Sequence, residues 1–145
     1  MSNVLEPAQI RVGGTASSVE EAIAEAAAIL VAAGAVTPEY EGFMLEREKS
    51  VSTYMGNLLA IPHGTNEGKD TILDSALSFV RYDAPLDWAG NEVRFVVGIA
   101  GKDNGHLEIL SKIAIIFSDD DEVQKLLDAS TAEELYALLS EVNEA

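Results

Sequence analysis

Near the middle of the chain, Val93 to Ala100 (Val-Arg-Phe-Val-Val-Gly-Ile-Ala) form an almost unbroken apolar run rich in β-branched side chains. A strand with one wet face alternates polar and apolar residues; a run like this one reads as a central strand covered on both faces. Such a strand needs neighbouring strands beside it and helices above and below, which points to a layered α/β architecture. The flanking patterns fit. Ser75 to Tyr82 alternates, with Leu77 and Phe79 on one face and Ser78 and Val80 on the other, and predicts a second strand. Ile10-Arg11-Val12 and Leu58 to Ile61 supply shorter ones. Ser18-Val19-Glu20-Glu21 has capping-box spacing and opens an alanine-rich helix that ends at Gly34, with Ala22, Ile23, Ala26, Ile29 and Leu30 at helical intervals. Thr37-Pro38-Glu39 predicts the start of a second helix, with Thr37 as N-cap, carrying Tyr40, Phe43, Met44 and Arg47 toward one side. Ser50 to Asn57 and Pro85 to Asn91 read as loops, the latter bearing the only tryptophan, Trp88. Helical patterns follow over His106 to Phe117 and Asp119 to Leu127, and a second capping box, Ser130-Thr131-Ala132-Glu133, opens the last helix. With no repeat, linker or low-complexity segment, residues 1–145 are expected to form a single layered α/β domain, a mixed sheet flanked by helices on both faces.

Charge then narrows the function. The formal charge is −16, from 25 acidic against 9 basic residues. Such a surface repels phosphate backbones and anionic headgroups, so neither nucleic-acid nor membrane-surface binding is expected, while a basic or mixed-charge protein partner is favoured. No cysteine is present, which excludes disulfides, thiolate catalysis and cysteine-based metal sites. The amino terminus lacks the basic and apolar regions of a signal peptide, and charges interrupt every apolar stretch before bilayer length. A cytoplasmic location is expected.

Three residues stand out chemically. His63, one of two histidines, follows the apolar run Leu58 to Ile61 in Ile61-Pro62-His63-Gly64-Thr65. Pro-His-Gly after a buried strand marks the point where the chain reaches the surface, so the imidazole is held yet reachable. A turn histidine without chemistry and a reactive nitrogen nucleophile or ligand both fit that placement. His106 lies just after the central strand at the start of a helix, where ligand sites gather in α/β folds and where a helix amino terminus favours an anion. It either caps and packs there or meets His63 at one sheet edge. Arg47, one of only four arginines, ends a helix; it is a dipole partner or a planar match to phosphoryl oxygens. Other signatures fail. Only three residues lie between Gly64 and Gly68 where a phosphate-binding loop needs four, and Asp70 stands in place of its hydroxyl. No dinucleotide fingerprint, nucleophile elbow or paired-histidine zinc spacing occurs.

Taken together, the segments resemble the enzyme IIA component of the mannitol/fructose class of the bacterial phosphoenolpyruvate-dependent sugar phosphotransferase system, with the mannitol-type members the nearer match. The blocks that carry the resemblance run in order: Gly34 to Tyr40, Met44 to Lys49, Ser52 to Gly56, Ala60 to Thr65 with Lys69-Asp70, Val97 to Ala100, and Asn104-Gly105-His106. Ser50-Val51 and the glycine before His106 depart from the pattern. The resemblance implies that His63 takes a phosphoryl group from the phosphohistidine of HPr and passes it to a cysteine of the cognate IIB component during mannitol uptake. It further implies that His106 is the second active-site histidine and that Arg47 neutralises phosphoryl charge. No cofactor or metal enters that chemistry. A regulatory phosphohistidine module of the same fold, like the nitrogen-related IIA proteins, is the alternative. The chain is expected to be a free-standing IIA protein whose partners are separate chains.

Overall fold

The computed structural model describes residues 4–102 and 106–143. Its centre is a five-stranded sheet in the order β1 (Ile10–Val12), β4 (Ala76–Trp88), β5 (Asn91–Ala100), β3 (Leu59–Ala60), β2 (Tyr54–Gly56). The expected central strand is the middle one. β4 and β5 form a long antiparallel pair, β1 runs parallel to β4, β3 parallel to β5, and β2 antiparallel to β3. The sheet is therefore mixed, as its pattern requires.

Both faces of β5 are covered. On one face α1 (Val19–Ala32) and α2 (Tyr40–Ser50) pack Ala26, Leu30 and Met44 over Val80, Val96 and Ala100. On the other, α3 (His106–Phe117), α4 (Asp120–Asp128) and α5 (Ala132–Leu139) bury Ile113, Leu126 and Leu135 with Phe79, Phe95 and Val97. Phe95 lies 5.7 Å from Phe79 and meets Phe117 edge-on at 5.4 Å, geometries that aromatic quadrupoles favour. The alanine content of α1 has a structural reason. At Gly98 a Cβ would lie 2.4 Å from Ser78 Oγ and 3.0 Å from the Ala26 methyl, so small side chains let the helix sit close to the sheet.

Four local expectations are corrected. Ser50 to Asn57 is not all loop, since it contains β2. Glu48 holds its start by accepting from both the Thr53 N–H (2.9 Å) and hydroxyl (2.6 Å), contacts that leave no periodic trace in the sequence. The β2–β3 turn places Asn57 and Leu58 at φ 48° and 70°, the left-handed pair that matches strand twist. Asn57 donates to the Phe117 carbonyl, and the Leu58 carbonyl accepts from Arg94 and Phe95 N–H groups, which holds the unusual leucine there. Pro85 to Asn91 is not a loop either. β4 continues to Trp88, and the register shifts between Arg81 and Leu86, an irregularity that accommodates a residue without an N–H. Trp88 is fully buried and donates its indole N–H to Glu48 Oε2. Helix α2 begins at Tyr40, not Thr37: Thr37 offers only its carbonyl to the Tyr40 N–H, and its buried hydroxyl has no partner among the described residues. The last helix is capped by Thr131, which accepts from the Glu134 N–H, so the capping pair lies one residue later than read.

Glu25, buried on α1, ties this helix to the sheet. Its carboxylate accepts from Arg11, from the Thr15 N–H and hydroxyl, and from the Tyr82 hydroxyl. Burial pushes its pKa up, but the hydrogen bonds from Tyr82, Arg11 and Thr15 outweigh that and hold it below the ordinary 4.5. A carboxylate depressed in the folded state stabilises fully above its unfolded-state pKa, and that contribution fades as pH falls through the folded-state value. Glu25→Gln should therefore lower stability at pH 7 by about 1–3 kcal/mol. In urea unfolding the gap between wild type and variant should narrow as pH drops below about 4; a gap independent of pH would contradict the assignment.

Candidate functional site

The site begins where β3 stops being a regular strand. Beyond Ala60 the chain keeps company with β5: the Ile99 N–H donates to the Pro62 carbonyl at 3.0 Å, and His63 pairs with Ile99 in parallel register. On the other side, the Ile61 N–H donates to the Thr53 carbonyl at 3.1 Å. Pro62 contributes no N–H, and after Gly64 and Thr65 the chain enters a 3-10 turn over Asn66–Thr71. The half-buried His63 thus stands at the carboxyl edge of two parallel segments, the position where open α/β sheets place their ligands.

His63 Nδ1 lies 2.9 Å from the Ile61 carbonyl oxygen. A carbonyl oxygen only accepts, so Nδ1 carries the imidazole proton and donates it, which puts the lone pair on Nε2. The backbone two residues upstream sets the tautomer.

A cleft of about 790 Å³ opens around this ring. Among its walls are Arg47, Lys69 and Lys102, three of the nine basic residues of the chain, against two carboxylates, Glu67 and Asp70. On a protein of net charge −16 that is a local reversal of sign suited to an anion. Arg47 comes from the last turn of α2, with Nη1 donating to the Val51 carbonyl at 2.8 Å. Lys102 follows β5; its N–H donates to Ser75 Oγ and its Nζ to the Leu73 carbonyl at 3.1 Å.

Helix α2 contributes more than Arg47. Tyr40, Phe43 and Arg47 recur at helical spacing, and the first two press on the loop that follows His63. The Tyr40 hydroxyl accepts from the Gly64 N–H at 2.9 Å and donates to the Ile99 carbonyl at 2.7 Å, with the residue 2% exposed. Burial raises its pKa above 10, against the smaller opposing effect of the Gly64 N–H, so the phenol stays protonated. A Cβ on Gly64 would lie 2.5 Å from the Tyr40 ring, and one on Gly68 2.6 Å from Phe43. Both glycines are there for close approach.

Of the three sequence candidates, the structure brings His63 and Arg47 to one cleft. His106 opens α3 after β5, and its side chain, like residues 103–105 before it, lies outside the described part of the structure. Sequence reading placed Tyr40 on the right helix face without giving it a role. It passed over Lys102 and quoted Lys69 in the Lys69-Asp70 block without giving it a role. Among the described residues no group of three or more His, Cys, Asp or Glu could hold a metal ion, and no helix is long and apolar enough to cross a membrane.

The comparisons with known proteins agree with one another. Residues 3–142 match the family model for the phosphoenolpyruvate-dependent sugar phosphotransferase system, EIIA 2. The mannitol-specific phosphotransferase enzyme IIA component of Halalkalibacterium halodurans is 51% identical over 141 residues, which cover 97% of each chain. Among solved structures, a chain in the complex of mannitol enzyme IIA with phosphorylated mannitol enzyme IIB from Escherichia coli superposes with a TM-score of 0.87 at 34% identity, covering 94% of this chain and 96% of that one. The crystal structure of IIA mannitol from Escherichia coli gives 0.86, also at 34% identity, covering 93% and 98%. By extent of match and by identity, the chain belongs to the EIIA 2 family of the phosphoenolpyruvate-dependent sugar phosphotransferase system.

Proposed function

We propose that this chain, as one IIA domain over residues 1–145, is a cytoplasmic phosphoryl carrier for mannitol uptake. His63 accepts the group from the phosphohistidine of HPr and hands it to the cysteine of a mannitol IIB component. The observation that supports this most directly is the fixed tautomer: Nδ1–H on the Ile61 carbonyl, and the lone pair on Nε2, in a cleft lined by three cations.

In the first transfer the Nε2 lone pair attacks phosphorus while the P–N bond to the donor imidazole breaks, its electron pair returning to that ring. In the second, the IIB thiolate attacks and the P–Nε2 bond breaks, returning its pair to His63. The proton stays on Nδ1, donated to the Ile61 carbonyl, throughout, so neither step requires a proton to cross the site. Such transfers depend on in-line positioning and on neutralising the equatorial oxygens, more than on covalent help from the protein. Arg47 supplies a planar cation for those oxygens, with Lys69 and Lys102 beside it. His106, carried over from the family pattern, is assigned an N–H donated to a phosphoryl oxygen. The phosphoimidazole bond is itself a high-energy donor, so the reading assigns no cofactor.

The rim suits protein docking. Val51 and Leu73 are 63% and 51% exposed, and their carbonyls accept from Arg47 and Lys102, so apolar side chains flank the cations of the cleft. Apolar anchors around a charged centre are the usual anatomy of a transient interface.

Incubation with phosphoenolpyruvate, enzyme I and HPr should add one acid-labile phosphoryl group to the intact protein and none to His63→Ala. No gain in the wild type would overturn the carrier reading. Arg47→Lys keeps the charge but loses the fork, and should slow transfer about tenfold or more in rapid-quench assays. His106→Gln should also slow transfer; an unchanged rate would reduce that residue to packing.

A further inference from the structure

We propose that Tyr40 is a positioning residue for His63: its hydroxyl clamps the peptide after the histidine to the end of β5 and so holds the ring in line for transfer. The proposal rests on the carrier reading above and extends it to a residue without phosphoryl contact.

The geometry is a bridge of two hydrogen bonds through one oxygen. The Gly64 N–H donates to Tyr40 Oη at 2.9 Å, and Oη donates to the Ile99 carbonyl at 2.7 Å. Ile99 is also the residue that pairs with His63 and whose N–H holds the Pro62 carbonyl. Both backbone groups of Ile99 are therefore used to pin the segment on either side of His63. Upstream, the contact is a direct ladder bond. Downstream, His63 has turned the chain away from β5, and the phenol spans the gap that a backbone bond no longer closes.

Three further observations narrow the role. Tyr40 is almost fully buried and keeps its proton, so Oη serves as acceptor and donor at once. The ring also fills the space beside Gly64, where a Cβ would come within 2.5 Å, so the loop is held by contact as well as by polarity. The third is that the clamp is built on the helix that carries Arg47, two turns further along. One rigid element thus sets both the peptide beside the nucleophile and the cation beside the phosphoryl group, a coupling of positions that transfer in line depends on.

The test is Tyr40→Phe, which removes one oxygen and keeps the ring. Phosphoryl transfer from phosphorylated HPr should slow roughly tenfold or more in kcat, with KM changed by less than about twofold, because the docking rim is untouched. In ¹⁵N-edited NMR of the unphosphorylated variant, the His63 Nδ1–H signal should broaden and the Gly64 amide should exchange faster with solvent. Tyr82→Phe is the control, since it removes another buried hydroxyl, the one on Glu25, away from the cleft. It should lower the melting temperature and leave the transfer rate and the His63 signals as they are.

A Tyr40→Phe protein that melts normally, transfers at the wild-type rate and keeps the His63 and Gly64 signals overturns the proposal while leaving the carrier reading intact. If instead the wild type takes up no phosphoryl group, the carrier reading fails, and the NMR arm alone decides whether Tyr40 orders the histidine. Should the variant fold poorly, the wild type decides: a Gly64 amide that exchanges as fast as that of exposed Asn66 would sink the clamp.

Discussion

The site depends on the parallel alignment of residues 59–63 with β5. Because Leu59 and Ala60 pair in register with Phe95 and Val96, and His63 with Ile99, the histidine is carried to the end of a strand whose last six residues are all buried. β5 is enclosed by helices on both faces and by β4 and β3 at its sides. A phosphoryl-transfer site built on such a strand inherits the rigidity of the core, whereas one built on a loop would have to acquire its own.

Helix α2 supplies the complementary half. It is only 11 residues long and has little apolar surface of its own, yet it meets the sheet through Met44 and Tyr40 and the active loop through Phe43 and Tyr40. Its end is moored by Glu48, which reaches both Thr53 and Trp88. That mooring connects the carboxyl end of α2 to the long β4–β5 hairpin, so Arg47 sits next to a fixed point. The two halves, strand and helix, approach closely because residues 64 and 68 are glycines.

Much of this was legible beforehand, for physical reasons. An uninterrupted β-branched run announces a doubly covered strand, and helices with Ser or Asp at their caps announce their own starts, as Ser18 and Asp119 do. The spaced blocks around His63 identified the family that the whole chain matches. What escaped notice had no periodic signature. β2 is three residues long and is held by side chains of its neighbours; Trp88 lies beyond a proline in a strand that shifts its register to pass it. Thr37 and Pro38 are good helix starters by composition, but the local chain makes a turn there first. Lys102 carries no motif and Lys69 only a place in a family block, and folding is what brings both to the cleft that holds His63.

The contact between His63 Nδ1 and the Ile61 carbonyl has a consequence for how this protein would look to genetics. The oxygen that accepts from the imidazole belongs to the main chain, so every amino acid at position 61 supplies it. A scan that replaces side chains one by one would leave that carbonyl in place at every substitution. Selection acting on position 61 would see only an apolar residue, 5% exposed, that fits the core. The hydrogen bond at His63 Nδ1 is thus encoded in the path of the chain, and substitutions at position 61 reach it only indirectly, by bending that path.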